Sequence, residues 1–319
     1  MRNILITSAG RRVALVNIFR EAAAKIDGDI RVLTADINPR LSPACRLADA
    51  AFEMPACCDP HYLDRLLDIC RDEGVAIVVP TIDTGLVNLA AAKPRFEREG
   101  VHVIVPTAEY VAACRDKRLT AECFRRHGIR IPEPIDIAHP RFPLFVKPYD
   151  GSSSLGTYVI HNADDLSETL RHDPKLMFME YINRDEYIEY SVDMYFGRDN
   201  RLKALVPRER IATRSGEVSK SKTCKNRLVD LLKRRVSHVP GLTGVLCVQF
   251  FYRESDNDLV GLEINPRFGG GYPLSYRAGV DFAGMILREY LLNDSVDYDE
   301  GWRDNLLMLR YDAELFIQE

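Results

Sequence analysis

The sequence has no apolar run long enough to span a membrane: stretches such as "VAIVV" at 75–79 fall far short of the roughly 20 residues required. Its eight cysteines, at 45, 57, 58, 70, 114, 123, 224 and 247, include no Cys-x-x-Cys pair, and its seven histidines are scattered. That argues against a zinc site and a disulfide framework, and the thiols are expected to be reduced and mostly buried. Charge of one sign is lacking too, because 43 Lys plus Arg face 47 Asp plus Glu for a formal net charge of −4. With no basic field to attract nucleic acid or an anionic membrane, the expected partners are small molecules. The opening "MRNILIT" runs straight into a strand-like pattern without the apolar stretch of a secretory leader, so the expected location is the cytoplasm. Three sequence signatures are also missing. "SAGRRVALV" carries one glycine where a dinucleotide fingerprint needs three, "GSSSLG" is not a nucleophile elbow, and no P-loop is present.

What is present alternates. "NILIT" (3–7), "IRVLTAD" (30–36), "VAIVVPT" (75–81) and "VHVIVP" (101–106) read as strands, separated by helical patterns at 12–26, 61–74 and 85–100. Continuous β-branched runs between amphipathic helices predict a parallel sheet covered on both faces, a Rossmann-like α/β unit. Ligands of such sheets gather at the carboxyl ends of the strands, here the loop "TSAGRRV" and the turns at Asp36 and "PTIDT". Arg11 and Arg12 at a helix start would suit a substrate anion, or would be solvated first-turn residues; Asp83 has the same standing.

After Pro106 the rhythm changes to strands such as "PLFVKPY", "LMFMEYI", "EYSVDMYF", "LKALVPRERI", "GVLCVQFFYRE" and "LVGLEINPRF", with helical stretches near 116–128, 163–172, 224–237 and 281–292. The polar "RESDND" at 253–258 reads as a hairpin connection in an α+β region. In "LFVKPYDGSSSLGT", Lys147 ends a strand and a glycine and serine loop follows. Taken alone, this is either a surface hairpin or a cradle whose backbone N–H groups close over phosphates beside an ammonium. The second motif is "GLEINPRFGGG" at 261–271. Glu263 and Asn265 share a strand face, Arg267 follows, and Gln249 on the preceding strand joins them if the two strands pair. One acid and two amides suit Mg²⁺ held by few protein ligands, with the arginine neutralising a transferring phosphoryl group.

The two motifs together resemble those of the ATP-grasp superfamily, in its carbamoyl-phosphate-synthase-large-subunit-like and pyrrolysine-ligase-like branch. The resemblance covers nearly the whole chain. It implies a Rossmann-like pre-ATP-grasp domain at 1–106 and a two-lobed α+β ATP-grasp fold, with its first lobe at 107–178 and its second at 179–319. Two lysines facing the phosphates match Lys117 and Lys147, and the phosphate loop matches Gly151, Ser152, Ser153, Ser154 and Gly156. Backbone groups of Glu180 and Ile182 match the adenine hinge, where Met179 stands in place of a second acid. Glu189 matches the ribose carboxylate, with Glu186 as its rival. Gln249, Glu263 and Asn265 match the metal set, and Arg267 the arginine near the γ-phosphate. Arg208 and Arg210 in "VPRERI" are expected to face the triphosphate or an acyl phosphate. Arg214, Lys220 and Lys222 are expected in a solvated loop.

The activity so implied is ADP-forming ligation of a carboxylate and an amine through an acyl phosphate. ATP and Mg²⁺, or Mn²⁺, would be the cofactors, with two ions, and a homodimer would fit the family. The alternatives are phosphorylation of bicarbonate or carbamate, with a separate ammonia-supplying partner, and a catalytically silent ATP-binding regulator.

Overall fold

A computed structural model describes residues 2–149, 156–214 and 216–318 of the 319-residue chain. Five parallel strands open it: β1 (Asn3–Thr7), β2 (Val32–Asp36), β3 (Ala50–Glu53), β4 (Val75–Pro80) and β5 (His102–Val103), in the order β3-β2-β1-β4-β5. Side chains alternate between its two faces. Ile4 and Ile6 therefore join one apolar core while Leu5 joins another. Helices α1 (Val13–Ala24) and α2 (Pro43–Leu47) cover the first face, and α3 (Tyr62–Asp72) and α4 (Leu86–Arg98) cover the second. This is the doubly covered α/β unit expected from the sequence, although the last strand is shorter than "VHVIVP" suggests.

Helices α5 (Ala108–Arg115) and α6 (Lys117–Arg126) lead to a small antiparallel sheet of β6 (Leu144–Pro148), β7 (Tyr158–Ile160) and β8 (Leu176–Glu180), ordered β7-β6-β8. Helix α7 (Glu168–His172) precedes β8. Its third strand ends at Glu180, so this sheet runs two residues past the expected lobe boundary. The large sheet contains β9 (Ile188–Phe196), β10 (Leu202–Arg214), β11 (Glu217–Thr223), β12 (Gly244–Arg253), β13 (Asp258–Asn265) and β14 (Leu307–Leu309), in the order β13-β12-β9-β10-β11-β14. Helices α8 (Arg227–Arg235), α9 (Tyr272–Ala278) and α10 (Phe282–Leu291) complete the chain.

The large sheet has an apolar and a polar face. On β9, Tyr190, Val192 and Met194 enter the main core, whereas Glu189, Ser191 and Asp193 project the other way. Register carries that polarity across the sheet: Glu263 faces Gln249, Gln249 faces Ser191, and Ser191 faces Arg208, one row over four strands. The expected hairpin between β12 and β13 is present.

One expectation is corrected here. Lys220 and Lys222 lie on β11, paired with β10 on one side and β14 on the other, and Arg214 ends β10. The segment is polar, yet Val218, Ser221 and Thr223 are buried within the sheet.

Candidate active site

Two cavities meet on the polar face of the large sheet. The first, about 440 Å³, lies between the small sheet and the edge of the large one. Its walls combine apolar side chains, Phe145, Val159, Met179, Ile182, Phe251 and Leu262, with the charged Lys117, Lys147, Glu189 and Glu263. The second, about 500 Å³, is mostly polar and runs toward the N-terminal unit, where Arg11, Arg12 and Asp83 reach it. Arg184, Glu189, Gln249 and Glu263 border both.

Lys147 is held in place by strand pairing: β6 lies between β7 and β8, with Lys147 opposite Met177. Burial, with a smaller repulsion from Lys117, lowers its ammonium to about 8, against a weaker pull from Glu263. Lys117 opens α6, whose N-cap Asp116 accepts from the Arg118 amide at 2.8 Å. The Lys117 amide donates to the Tyr149 carbonyl at 3.2 Å, which fixes that helix start to the end of β6. Gly156 takes a left-handed φ of 68° and lines up against Pro148, while Gly151, Ser152, Ser153 and Ser154 lie outside the described residues.

At the apolar end, Ile182 is buried against Tyr187, Phe251 and Val260. The Glu180 amide donates to the Glu133 carbonyl at 2.7 Å, so base contact through that residue would fall to its own carbonyl. Its carboxylate is turned to Arg130, at 2.5 Å. Glu189 sits where the cavities join, 3.1 Å from Arg184 Nη2 and 2.7 Å from Arg210 Nε. The Arg210 contact is an ion pair outside hydrogen-bond alignment, since that Nε has no hydrogen-bond partner among the described residues. Glu186 stands apart, paired with Arg253 at 2.8 Å.

Gln249, Glu263 and Asn265 converge from neighbouring strands. Among the described residues no group of three His, Cys, Asp or Glu side chains could hold a metal. One carboxylate flanked by two amide oxygens nevertheless fits a hard cation that keeps water and phosphate ligands. Asn265 accepts from Arg267 Nη2 at 3.2 Å, and Arg267 is gripped by Asp83 through Nε at 3.1 Å and Nη2 at 2.7 Å. The structure thus joins Arg267 and Asp83, 184 positions apart, in one ion pair across the two domains.

Arg208 lines the second cavity, with most of its guanidinium committed to the protein. Its side chain is 1% exposed and is clamped by the fully buried Asp193 through Nε at 2.7 Å and Nη2 at 2.8 Å. Ser275 Oγ donates to the same carboxylate at 2.6 Å. Two of its three nitrogens are thus committed to the cavity wall. Its Nη1 has no hydrogen-bond partner among the described residues and abuts Gly271, where a Cβ would lie only 2.0 Å away. The glycine run 269–271 is needed for this close approach: Cys247 crowds Gly269 in the same way.

Glu217 and Arg310 escaped sequence reasoning. Glu217 opens β11 and lies 2.8 Å from Arg310, 3.4 Å from Arg11 and 3.9 Å from Arg12. Their only sequence signal was charge, and the contact depends on β14 pairing with β11.

Comparison with known proteins agrees with this geometry. Residues 4–104 match the family described as "PylC-like, N-terminal domain", and residues 172–308 match "ATP-grasp in the biosynthetic pathway with Ter operon". No curated protein matches by sequence. Among solved structures, the chain is similar to the biotin carboxylase domain of Hydrogenobacter thermophilus 2-oxoglutarate carboxylase, determined with MgADP, ADP and bicarbonate. The TM-score is 0.70 at 17% identity, over 96% of this chain and 73% of that one. Biotin carboxylase from Campylobacter jejuni gives 0.71 at 15%, over 96% and 74%. N5-carboxyaminoimidazole synthetase from Staphylococcus aureus, complexed with ADP, gives 0.69 at 18%, over 97% and 80%. At such identities the likeness is one of fold. With that fold and an ATP-grasp sequence match over residues 172–308, the chain belongs to the ATP-grasp superfamily and is an ATP-grasp enzyme.

Proposed function

We propose that the chain is an ADP-forming carboxylate–amine ligase working through an acyl phosphate. The reading is supported by the junction of the two cavities, which would let a nucleotide's phosphate tail in the first meet a second substrate in the other. Apolar side chains around Ile182 would hold the base, Glu189 the ribose, and Lys117 and Lys147 the phosphates. Gln249, Glu263 and Asn265 would hold Mg²⁺, which when bound screens charge between the phosphates and the attacking carboxylate.

A carboxylate is a poor electrophile because its leaving group would be oxide. Attack of its oxygen on the γ-phosphorus of ATP breaks the bond to the bridging oxygen, releases ADP and leaves an acyl phosphate. An amine then adds at the carbonyl carbon, loses a proton, and expels inorganic phosphate as the amide forms. Catalysis of this kind rests on positioning and charge neutralisation. Arg267, oriented by Asp83 and Asn265, would face the transferring group, and Arg210 would be its neighbour across Glu189.

The test is ADP release with Mg²⁺ and ATP over amino acids, singly and in pairs, with Lys147→Ala as control. A pair that raises turnover well above either member, and is silent in the variant, is the expected result; turnover unaffected by any carboxylate and amine pair overturns the ligase.

A second reading, bicarbonate phosphorylation, is favoured by one observation: the similar Hydrogenobacter thermophilus domain was determined with bicarbonate. Against it stands the second cavity, whose roughly 500 Å³ far exceeds what that four-heavy-atom anion fills. Formation of carbamoyl phosphate from bicarbonate, ammonia and ATP would select it.

A further inference from the structure

The far end of the second cavity carries an unbalanced charge. Among the described residues, the guanidiniums of Arg11, Arg12 and Arg267 line it, Arg310 reaches it through Glu217, and the carboxylates at ion-pair distance from these four are those of Asp83 and Glu217. Asp83 is committed to Arg267 in a two-point contact. Among the described residues Glu217 is the carboxylate at ion-pair distance from Arg11, Arg12 and Arg310, while Asp312, paired with Arg214, acts on Arg11 from further away. The cluster is partly screened from water: Arg12 is only 19% exposed, and burial and the nearby Arg267 together lower its guanidinium from the ordinary value. Burial opposes ionisation of Glu217, yet Arg12, Arg11 and Arg310 hold its carboxyl below the usual range.

Arg11, Arg12, Glu217 and Gly270 all line the second cavity, whose roughly 500 Å³ leaves room for a ligand beside them. A Cβ at Gly270 would stand 3.0 Å from Glu217 Oε2 and 3.2 Å from Arg12 Nη1, so the missing side chain is what lets these two charged groups pack onto the backbone there. Arg310 is fixed by its backbone, whose amide donates to the Ser219 carbonyl at 2.8 Å, and by its Nη2, which donates to the Gly270 carbonyl. Glu217 opens β11 after the turn at Gly216; its carboxylate accepts from Arg310 Nη1 at 2.8 Å and meets Arg11 and Arg12 only at ion-pair distance.

We propose that Arg11, Arg12 and Arg310 form an anion subsite for a carboxylate or phosphate group of the second substrate, and that Glu217 occupies it as an internal stand-in which that group displaces. Resting on the ligase reading, this narrows the second substrate to one with an anionic group remote from its reacting carboxylate. Planar, paired N–H donors from several arginines suit such an anion. Displaced, Glu217 becomes a neighbouring acceptor for an ammonium on the same substrate.

Calorimetric titration without nucleotide tests the subsite, using inorganic phosphate and succinate as separate probes. Glu217→Gln removes the competitor, so it should bind the preferred probe about tenfold more tightly than the unaltered protein, the worth of one charge-assisted hydrogen bond. Arg310→Gln should weaken binding by a similar factor and gives an independent reading if the first variant does not fold. The stronger probe distinguishes phosphate from carboxylate. Unchanged or weaker binding in a folded Glu217→Gln, no binding by either protein, or an indifferent Arg310→Gln would overturn the subsite. Since no ATP is present, these results stand whether or not the turnover screen finds a ligase.

Discussion

At the scale of single residues, Lys147 ties burial to function. Its ammonium is buried near Lys117, and desolvation lowers it to about 8 from an ordinary lysine value. Between that value and the unfolded one, the unfolded chain binds the extra proton, so this lysine makes stability rise with pH across that window. Below about pH 8 both states are protonated and the burial cost is present in full. Phosphates entering the cavity would reverse the balance, since they favour the ammonium. Binding of Mg²⁺ and ATP near pH 9 should therefore take up close to one proton, seen as a dependence of calorimetric enthalpy on the buffer's ionisation heat. In Lys147→Met that uptake should vanish; uptake that persists in the folded variant would remove Lys147 from the phosphate site.

At the scale of elements, α6 packs on β13 through one small residue. Gly261 has an ordinary backbone, but an added Cβ would stand 2.6 Å from the Phe124 ring, which in turn sits edge-on to Phe250 at 5.7 Å. Gly261→Ala should cost about 1–3 kcal/mol in urea unfolding, because the ring has to leave its position. A loss below a few tenths would mean that α6 shifts freely on the sheet. The same packing explains what was legible in the sequence. Runs such as "NILIT" and "VAIVV" are buried on both faces, so composition alone identified them as parallel strands. Strand β11 was missed because its buried Ser221 and Thr223 are polar and satisfied by the Glu209 and Arg303 carbonyls. In the site, Glu263, Asn265 and Gln249 were readable because period two and a single hairpin bring them together. The partners of Arg208 and Glu217 were not, since Asp193 meets Arg208 only through register and Arg310 reaches Glu217 only through a three-residue edge strand.

At the scale of the whole molecule, the small sheet joins the rest of the protein at two chain crossings, and Arg130 fastens both. Its carbonyl accepts from the Gly261 amide at 2.7 Å, while its guanidinium spans Glu180 at the end of β8 and Asp258 at the start of β13, at 2.5 and 3.0 Å. Tyr187, just beyond the second crossing, donates to the same Asp258 carboxylate at 2.5 Å. Glu180 is adjacent to the apolar end of the first cavity, so this network sets the angle at which the two sheets enclose it. Arg130→Met keeps the backbone bond and most of the bulk but cuts both ionic ties, each worth roughly 1.5–3 kcal/mol where partly buried. Part of that loss should appear as looser closure rather than as global unfolding. The expected outcome is faster amide exchange at 130–134 and 180–187, unchanged exchange in β9 and β12, and ATP affinity lower by about tenfold. If affinity held while exchange rose, the network would brace the fold without shaping the cavity. If neither changed, the backbone bond to Gly261 alone would fix the position of the small sheet.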